Sequence, residues 1–172
     1  EIGVGLVGSE MCIRDSNRPD ASEVEYLSAG LAPSRQAHRA RRYPMMRYPW
    51  DRTEAALRAM ADHSDGVMPE LDYVNPETGA DVLPTMGFTA MMLAAGLKTT
   101  PPRRSCSSAF HVVAGRGRTT IDGQTVGWGP KDTFSAPVFA SLSHEADEEA
   151  FLVRIHDRPL QEKLGYYEER DS

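Results

Sequence analysis

Side chains able to do chemistry are few in this chain, and their spacing limits what that chemistry can be. Cys106 follows Arg103 and Arg104, and guanidinium groups beside a thiol favour the reactive thiolate. The sequence offers no histidine partner for it, so Cys106 reads as an inert small hydrophobe. His111 stands between Phe110 and Val112 in a strand-like stretch. With those two facing a core, His111 faces outward, toward solvent or a partner surface, and an interface role suits it better than that of a catalytic base. His144 lies two residues after Leu142, on the same face of a regular strand. His111 and His144 together do not make a three-ligand metal face, and both read as structural or surface histidines. Asp132, in GPKDTF, stabilises a turn through local side-chain-to-backbone bonds, and Asp147-Glu148-Glu149 reads as a solvated loop.

The elements that must position these residues are short strands joined by turns. Leu71 to Val74, the turn Asn75 to Gly79 and Asp81 to Leu83 predict strand, turn and strand. Phe88 to Leu97 is apolar enough for a buried strand. Asp122-Gly123 between Arg118–Ile121 and Gln124–Trp128 predicts a two-residue hairpin. Trp128 to Asp132 turns into a strand from Thr133 to Ala136, and Phe151 to His156 is the last strand. Pro159 to Leu164 then closes as a short helix stopped by Gly165. Ahead of the strands, Asp51 and Glu54 resemble a capping box, and Ala55, Leu57, Met60 and Ala61 continue a helical face to about His63. Tyr43, Tyr48 and Trp50 alternate with Pro44 and Pro49, a stiff extended run that would lie against another surface. The expected organisation is therefore residues 1–16, a segment resembling a translated adapter read-through; 17–50, a linker or tail; 51–68, a helix packing on a barrel; and 69–172, a small antiparallel barrel or sandwich with its C-terminal helix.

Composition narrows the function classes. A net charge of −6 argues against nucleic-acid binding, and the one basic cluster, Arg35 to Arg42, reads as solvated linker. No apolar run reaches the length of a membrane-spanning helix. With the first sixteen residues set aside, Cys106 is the single cysteine, which forms no internal disulfide and fits a reducing cytoplasm.

From Tyr43 to Glu169 the chain resembles the C-terminal half of the gentisate 1,2-dioxygenase family, which includes salicylate and 1-hydroxy-2-naphthoate ring-cleaving dioxygenases. RYPWDRTEAALRAM (47–60), YVNPETGADVLPTMG (73–87), SSAFHVVAGRGRTTIDG (107–123), WGPKDTFSAP (128–137) and DRPLQEKLGYYEE (157–169) carry the resemblance through their order and spacing. It implies a cupin, a mainly β jelly-roll barrel with an N-terminal helix and a short C-terminal helix. It also implies a bicupin parent, two barrels in tandem, assembled as a homo-oligomer that in this family is a tetramer. The family's reaction is oxidative ring cleavage of an aromatic acid with Fe(II) and O2, the iron being held in the other, N-terminal barrel.

In a cupin, two histidines one residue apart on a first strand and a third from a later strand hold the metal. By that spacing the ligand positions here are Pro102, Arg104 and Leu142, with an optional carboxylate position near Ser108. The resemblance thus implies no catalytic residue, no metal site and no cofactor in this chain. Its expected partner is an N-terminal iron barrel, and the adapter-like start favours a truncated reading of a longer gene. Arg104 carries two readings: it snorkels to solvent from an exposed strand start, or it points inward and, with Phe110 and His144, forms an anion or ligand pocket. The functions so framed are a structural and assembly barrel of a dioxygenase, a stand-alone non-catalytic cupin binding a small carboxylated aromatic, and a module pairing with a separately encoded iron barrel.

Overall fold

Two β-sheets face each other across an apolar interior in the computed structural model, which describes Tyr26 and residues 47–63 and 68–171. The adapter-like segment 1–16, the basic cluster 35–42, Tyr43 and nearly all of the expected linker lie outside the described residues. The chain divides into two units, Glu1–Pro49 with Asn75–Ala80, and Trp50–Val74 with Asp81–Ser172. Within the first, Asn75 organises a turn: its side chain accepts from the Glu77 N–H at 2.9 Å and its carbonyl from the Gly79 N–H at 2.8 Å. Tyr26 donates its hydroxyl to Glu77 Oε1 at 2.8 Å.

The second unit holds the sheets. Its elements in chain order begin with α1 (Trp50–Ala61), β1 (Glu70–Asp72), β2 (Gly87–Leu93), β3 (Lys98–Thr99), β4 (Arg103–Arg104) and β5 (Ser108–Ala114). They continue with β6 (Gly117–Ile121), β7 (Gln124–Trp128), β8 (Thr133–Ala136), β9 (Leu142–Ala146), β10 (Ala150–His156), α2 (Arg158–Leu164) and β11 (Glu169–Arg170). One sheet runs β1-β2-β10-β5-β8, the other β3-β9-β6-β7, and β4 pairs with β11. All these pairings are antiparallel, and the non-sequential neighbours β2-β10-β5 give the jelly-roll connectivity of a cupin. The β6–β7 hairpin turns on Asp122 and Gly123 at φ 48° and 85°, the two positive angles of a type I′ turn.

Side-chain alternation sends one set of residues inward from both sheets. Met91, Leu93, Phe110, Val112, Leu142 and Leu152 are among the buried core. The other face of β2 and β10 is covered too: Ala90, Met92 and Phe151 pack with Leu57 of α1, and Trp50 meets Phe151 edge-on at 5.8 Å. β2 and β10 are thus covered on both faces, which explains the nearly continuous burial of GFTAMML along β2.

Several sequence expectations are corrected here. The helix starts at Trp50, so Asp51 lies within its first turn and does not cap it; the Glu54 carboxylate instead accepts from Trp50 Nε1 at 3.1 Å and pairs with Arg58. It ends at Ala61, two residues short of His63, and Trp50 belongs to it and not to an extended linker. Asp81 to Leu83 is no strand, only a bridge from Asp81 to Val74. The strand expected to reach Leu97 stops at Leu93, because Gly96 at φ 74° turns the chain toward β3. The acidic loop is more engaged than a purely solvated one: Glu149 pairs with Arg58 at 2.8 Å and Asp147 with Arg118 at 3.3 Å.

Candidate functional site

β10 carries its inward residues in the order Ala150, Leu152, Arg154, His156, and the last two change the character of the interior. Arg154 is 3% exposed and faces a cavity of about 20 Å³ between the sheets. The same cavity is lined by Pro102, Arg104, Leu142, Phe110 and His144. The positions singled out by spacing therefore converge on one space, and Ser108 joins them. His111 does not: it lies on the opposite face of β5, with Nδ1 3.1 Å from Thr133 Oγ1 on β8. Cys106 also lines the cavity, but burial pushes its thiol up, a shift that the field of Arg154 only partly offsets.

Arg154 was not singled out by sequence reading. The one signal available was phase: it shares parity with Leu152 in a strand whose outward residue Phe151 packs under a helix. Its Nη2 donates to Thr89 Oγ1 at 3.3 Å, while its Nε has no partner. Thr89 in turn donates to Asp72 Oδ1 at 2.6 Å. With that proton committed, Thr89 Oγ1 accepts from His156 Nε2 at 3.1 Å, which assigns the proton of that imidazole to Nε2. Burial acts to raise the Asp72 carboxyl, but the hydrogen bonds from Thr89 and Arg158 outweigh it and hold the group below its usual range. His156 fits only because position 87 is glycine; a Cβ there would come within 2.2 Å of its ring.

His144 is fully buried, its ring edge-on to Phe110 with centroids 5.2 Å apart. Its Nδ1 lies 2.9 Å from Thr119 Oγ1, which also receives the Trp128 indole N–H at 2.9 Å, and its Nε2 has no partner. Burial first, then the charges of Arg154 and Arg104, pull the His144 pKa down to about 4. His156 is drawn to about 4 by burial and then by Arg154 and Arg158. Both imidazoles are therefore neutral at physiological pH.

Arg104 lines the same cavity as Phe110 and His144; its side chain is 16% exposed, and its Nε donates to Glu169 Oε1 at 3.0 Å. β11 thus supplies the counter-charge, an element too short to be legible in sequence. A second, outer cavity of about 260 Å³ adjoins the first and is lined by Met68, Glu70, Lys98, Pro102 and Arg104.

The donor set does not suit the divalent iron that the resemblance associates with the family. The positions that cupin spacing would assign to ligands hold a proline, an arginine and a leucine, all in the cavity wall, and His144 is the one imidazole in that wall. Among the described residues no three of His, Cys, Asp and Glu converge to hold a metal ion. The Arg154 guanidinium faces the same space, and its fixed charge opposes a divalent cation there.

No family model matches the chain. It is similar to a gentisate 1,2-dioxygenase from Ralstonia sp, at 35% identity over 157 residues, covering 88% of this chain and 44% of that protein. It is 31% identical over 164 residues to a 1-hydroxy-2-naphthoate 1,2-dioxygenase from Nocardioides sp. (strain KP7), covering 90% of this chain and 42% of that one. The crystal structure of a salicylate 1,2-dioxygenase from Pseudaminobacter salicylatoxidans superposes with a TM-score of 0.79 at 28% identity, covering 87% of this chain and 45% of that chain. The chain spans less than half the length of these proteins. Among the described residues no helix is long and apolar enough to cross a membrane.

Proposed function

This chain belongs to the gentisate 1,2-dioxygenase family, and from that premise we propose that it is the C-terminal, metal-free cupin barrel of a ring-cleaving dioxygenase, with a structural and assembly role. One observation supports the reading: Pro102, Arg104 and Leu142, the residues that spacing assigns to the ligand positions, line one cavity together with Arg154. A barrel so furnished contributes packing and not turnover, so oxygen chemistry belongs to an N-terminal iron barrel. The parent would then act on an aromatic acid whose carboxylate and adjacent hydroxyl chelate iron, as an assembled homo-oligomer. Metal analysis of the purified chain after anaerobic loading with Fe(II), together with oxygen uptake on gentisate, tests this. The expected result is substoichiometric iron and no ring cleavage; stoichiometric iron with cleavage by the chain alone overturns it. Joining the chain to the N-terminal half of the Ralstonia relative should restore assembly and oxygen uptake.

A second reading is a non-catalytic barrel that binds a small carboxylated aromatic. The inner cavity, with room for about one water, is too small for a ring. The outer cavity of about 260 Å³, with Lys98 and Arg104 on its wall, favours this reading, and saturable gentisate binding abolished by Arg104→Ala would select it.

A further inference from the structure

We propose that the inner cavity between Arg154 and His144 is a binding site for one small monovalent anion of halide size. Both residues are buried beyond nine-tenths, at 3% and 0% exposure, both line the cavity, and each leaves one nitrogen without a partner. On Arg154 that atom is Nε, a donor. On His144 it is Nε2, and its protonation follows from its neighbours. The Trp128 indole nitrogen can only donate, and it donates to Thr119 Oγ1. The hydroxyl proton of Thr119 is then directed to Nδ1 of His144, which accepts it, so the proton of the neutral imidazole sits on Nε2. The two orphaned atoms are therefore both donors, carried by residues that line one cavity, and what they lack is an acceptor.

Charge and size identify that acceptor. Arg154 has no ion-pair partner among the described residues. Glu70 lines the cavity and its field acts on Arg154, but it forms no ion pair with the guanidinium. Asp72 is already engaged by Arg158 and Thr89, and Glu169 by Arg104. A negative occupant completes the guanidinium, which a water would leave uncompensated. About 20 Å³ admits one water-sized or halide-sized particle and excludes an aromatic acid. The site does not depend on an assembly role, since every group in it comes from this chain.

The test is thermal unfolding of the full chain at constant ionic strength, with sodium gluconate exchanged stepwise for bromide, chloride or formate. Bromide and chloride should raise the midpoint saturably, by about 5 °C at high occupancy, and formate by less. The linewidth of free bromide in bromide NMR should broaden with the wild-type chain and sharpen again with Arg154→Met. His144→Phe keeps the guanidinium and removes one donor, so bromide should bind it roughly tenfold more weakly; this variant decides the matter if Arg154→Met does not fold. A wild-type chain with neither a halide-specific rise nor broadening overturns the proposal and leaves the cavity to water. A bromide effect unchanged in the variants overturns it equally, by placing the anion elsewhere.

Discussion

The two ends of the barrel interior are built by the same three strands and obey opposite rules. At one end Leu93, Ala150, Met91, Leu152 and Val112 meet in register, and the interior is hydrocarbon. Two residues along, the same register pairs Thr89 with Arg154 and Phe110 with Arg154, then Gly87 with His156 and Ser108 with His156. Here the interior is polar and charged, and it leaves donors unpaired. The backbone geometry is continuous across the boundary, so side chains alone make the change. The apolar end supplies stability by burial, while the polar end spends some of it on groups that fit their surroundings incompletely.

Truncation at the apolar end should have the largest effect. Leu152 is fully buried, so Leu152→Ala is expected to destabilise the chain by about 3 kcal/mol, measured by chemical denaturation. A loss well under 1 kcal/mol would erase the contrast between the two ends. Acid should come next, acting on the polar end. The folded pKa of His144 is about 4 against an ordinary 6.5, so the fold favours the neutral ring. Its contribution is fully present above pH 6.5 and is lost as pH falls toward 4, amounting to about 3 kcal/mol at the bottom of that window. His156 shifts in the same direction and deepens the loss. A stability–pH curve should slope downward over that window, and His144→Gln should flatten it.

Smaller effects follow where the polar end meets solvent. Arg104→Ala breaks a pair whose partner is 46% exposed, and should cost about 0.5 kcal/mol while loosening β11. Amide exchange at Glu169 and Arg170 would reveal that loosening. A comparably small change is expected at the buried charge. In halide-free buffer Arg154→Met should alter stability by less than about 1 kcal/mol, in either direction, because it removes an incompletely satisfied ion and keeps the volume. A loss of several kcal/mol there would mean that the polar end is as tightly built as the apolar one.

The fold was largely legible because period and turn chemistry agree over residues 107–164. The Asp122-Gly123 hairpin, the strand from Thr133 and the helix closed by Gly165 at φ 77° all rest on local signals. So does the shared face of Leu142 and His144, which strand parity places together. Elements such as β3, β4 and β11 were not legible, since two-residue strands are defined by distant partners and not by their own residues. Arg154 escaped for a related reason. An arginine in an apolar strand reads as the outward residue, and only the helix covering Phe151 reveals that β10 is buried on both sides. The candidate site was therefore half visible: its wall could be named from spacing, but not the charge at its centre.

The covering of α1 over Ala90, Met92 and Phe151 also fixes where the chain can be cut. A piece starting at residue 69 retains every strand, yet it uncovers an apolar strip on the outside of β2 and β10 and should precipitate on expression. One starting just before Trp50 keeps the strip covered and should remain in solution. The smallest piece worth purifying is therefore the barrel together with its helix, and the helix belongs to the barrel as much as any strand does.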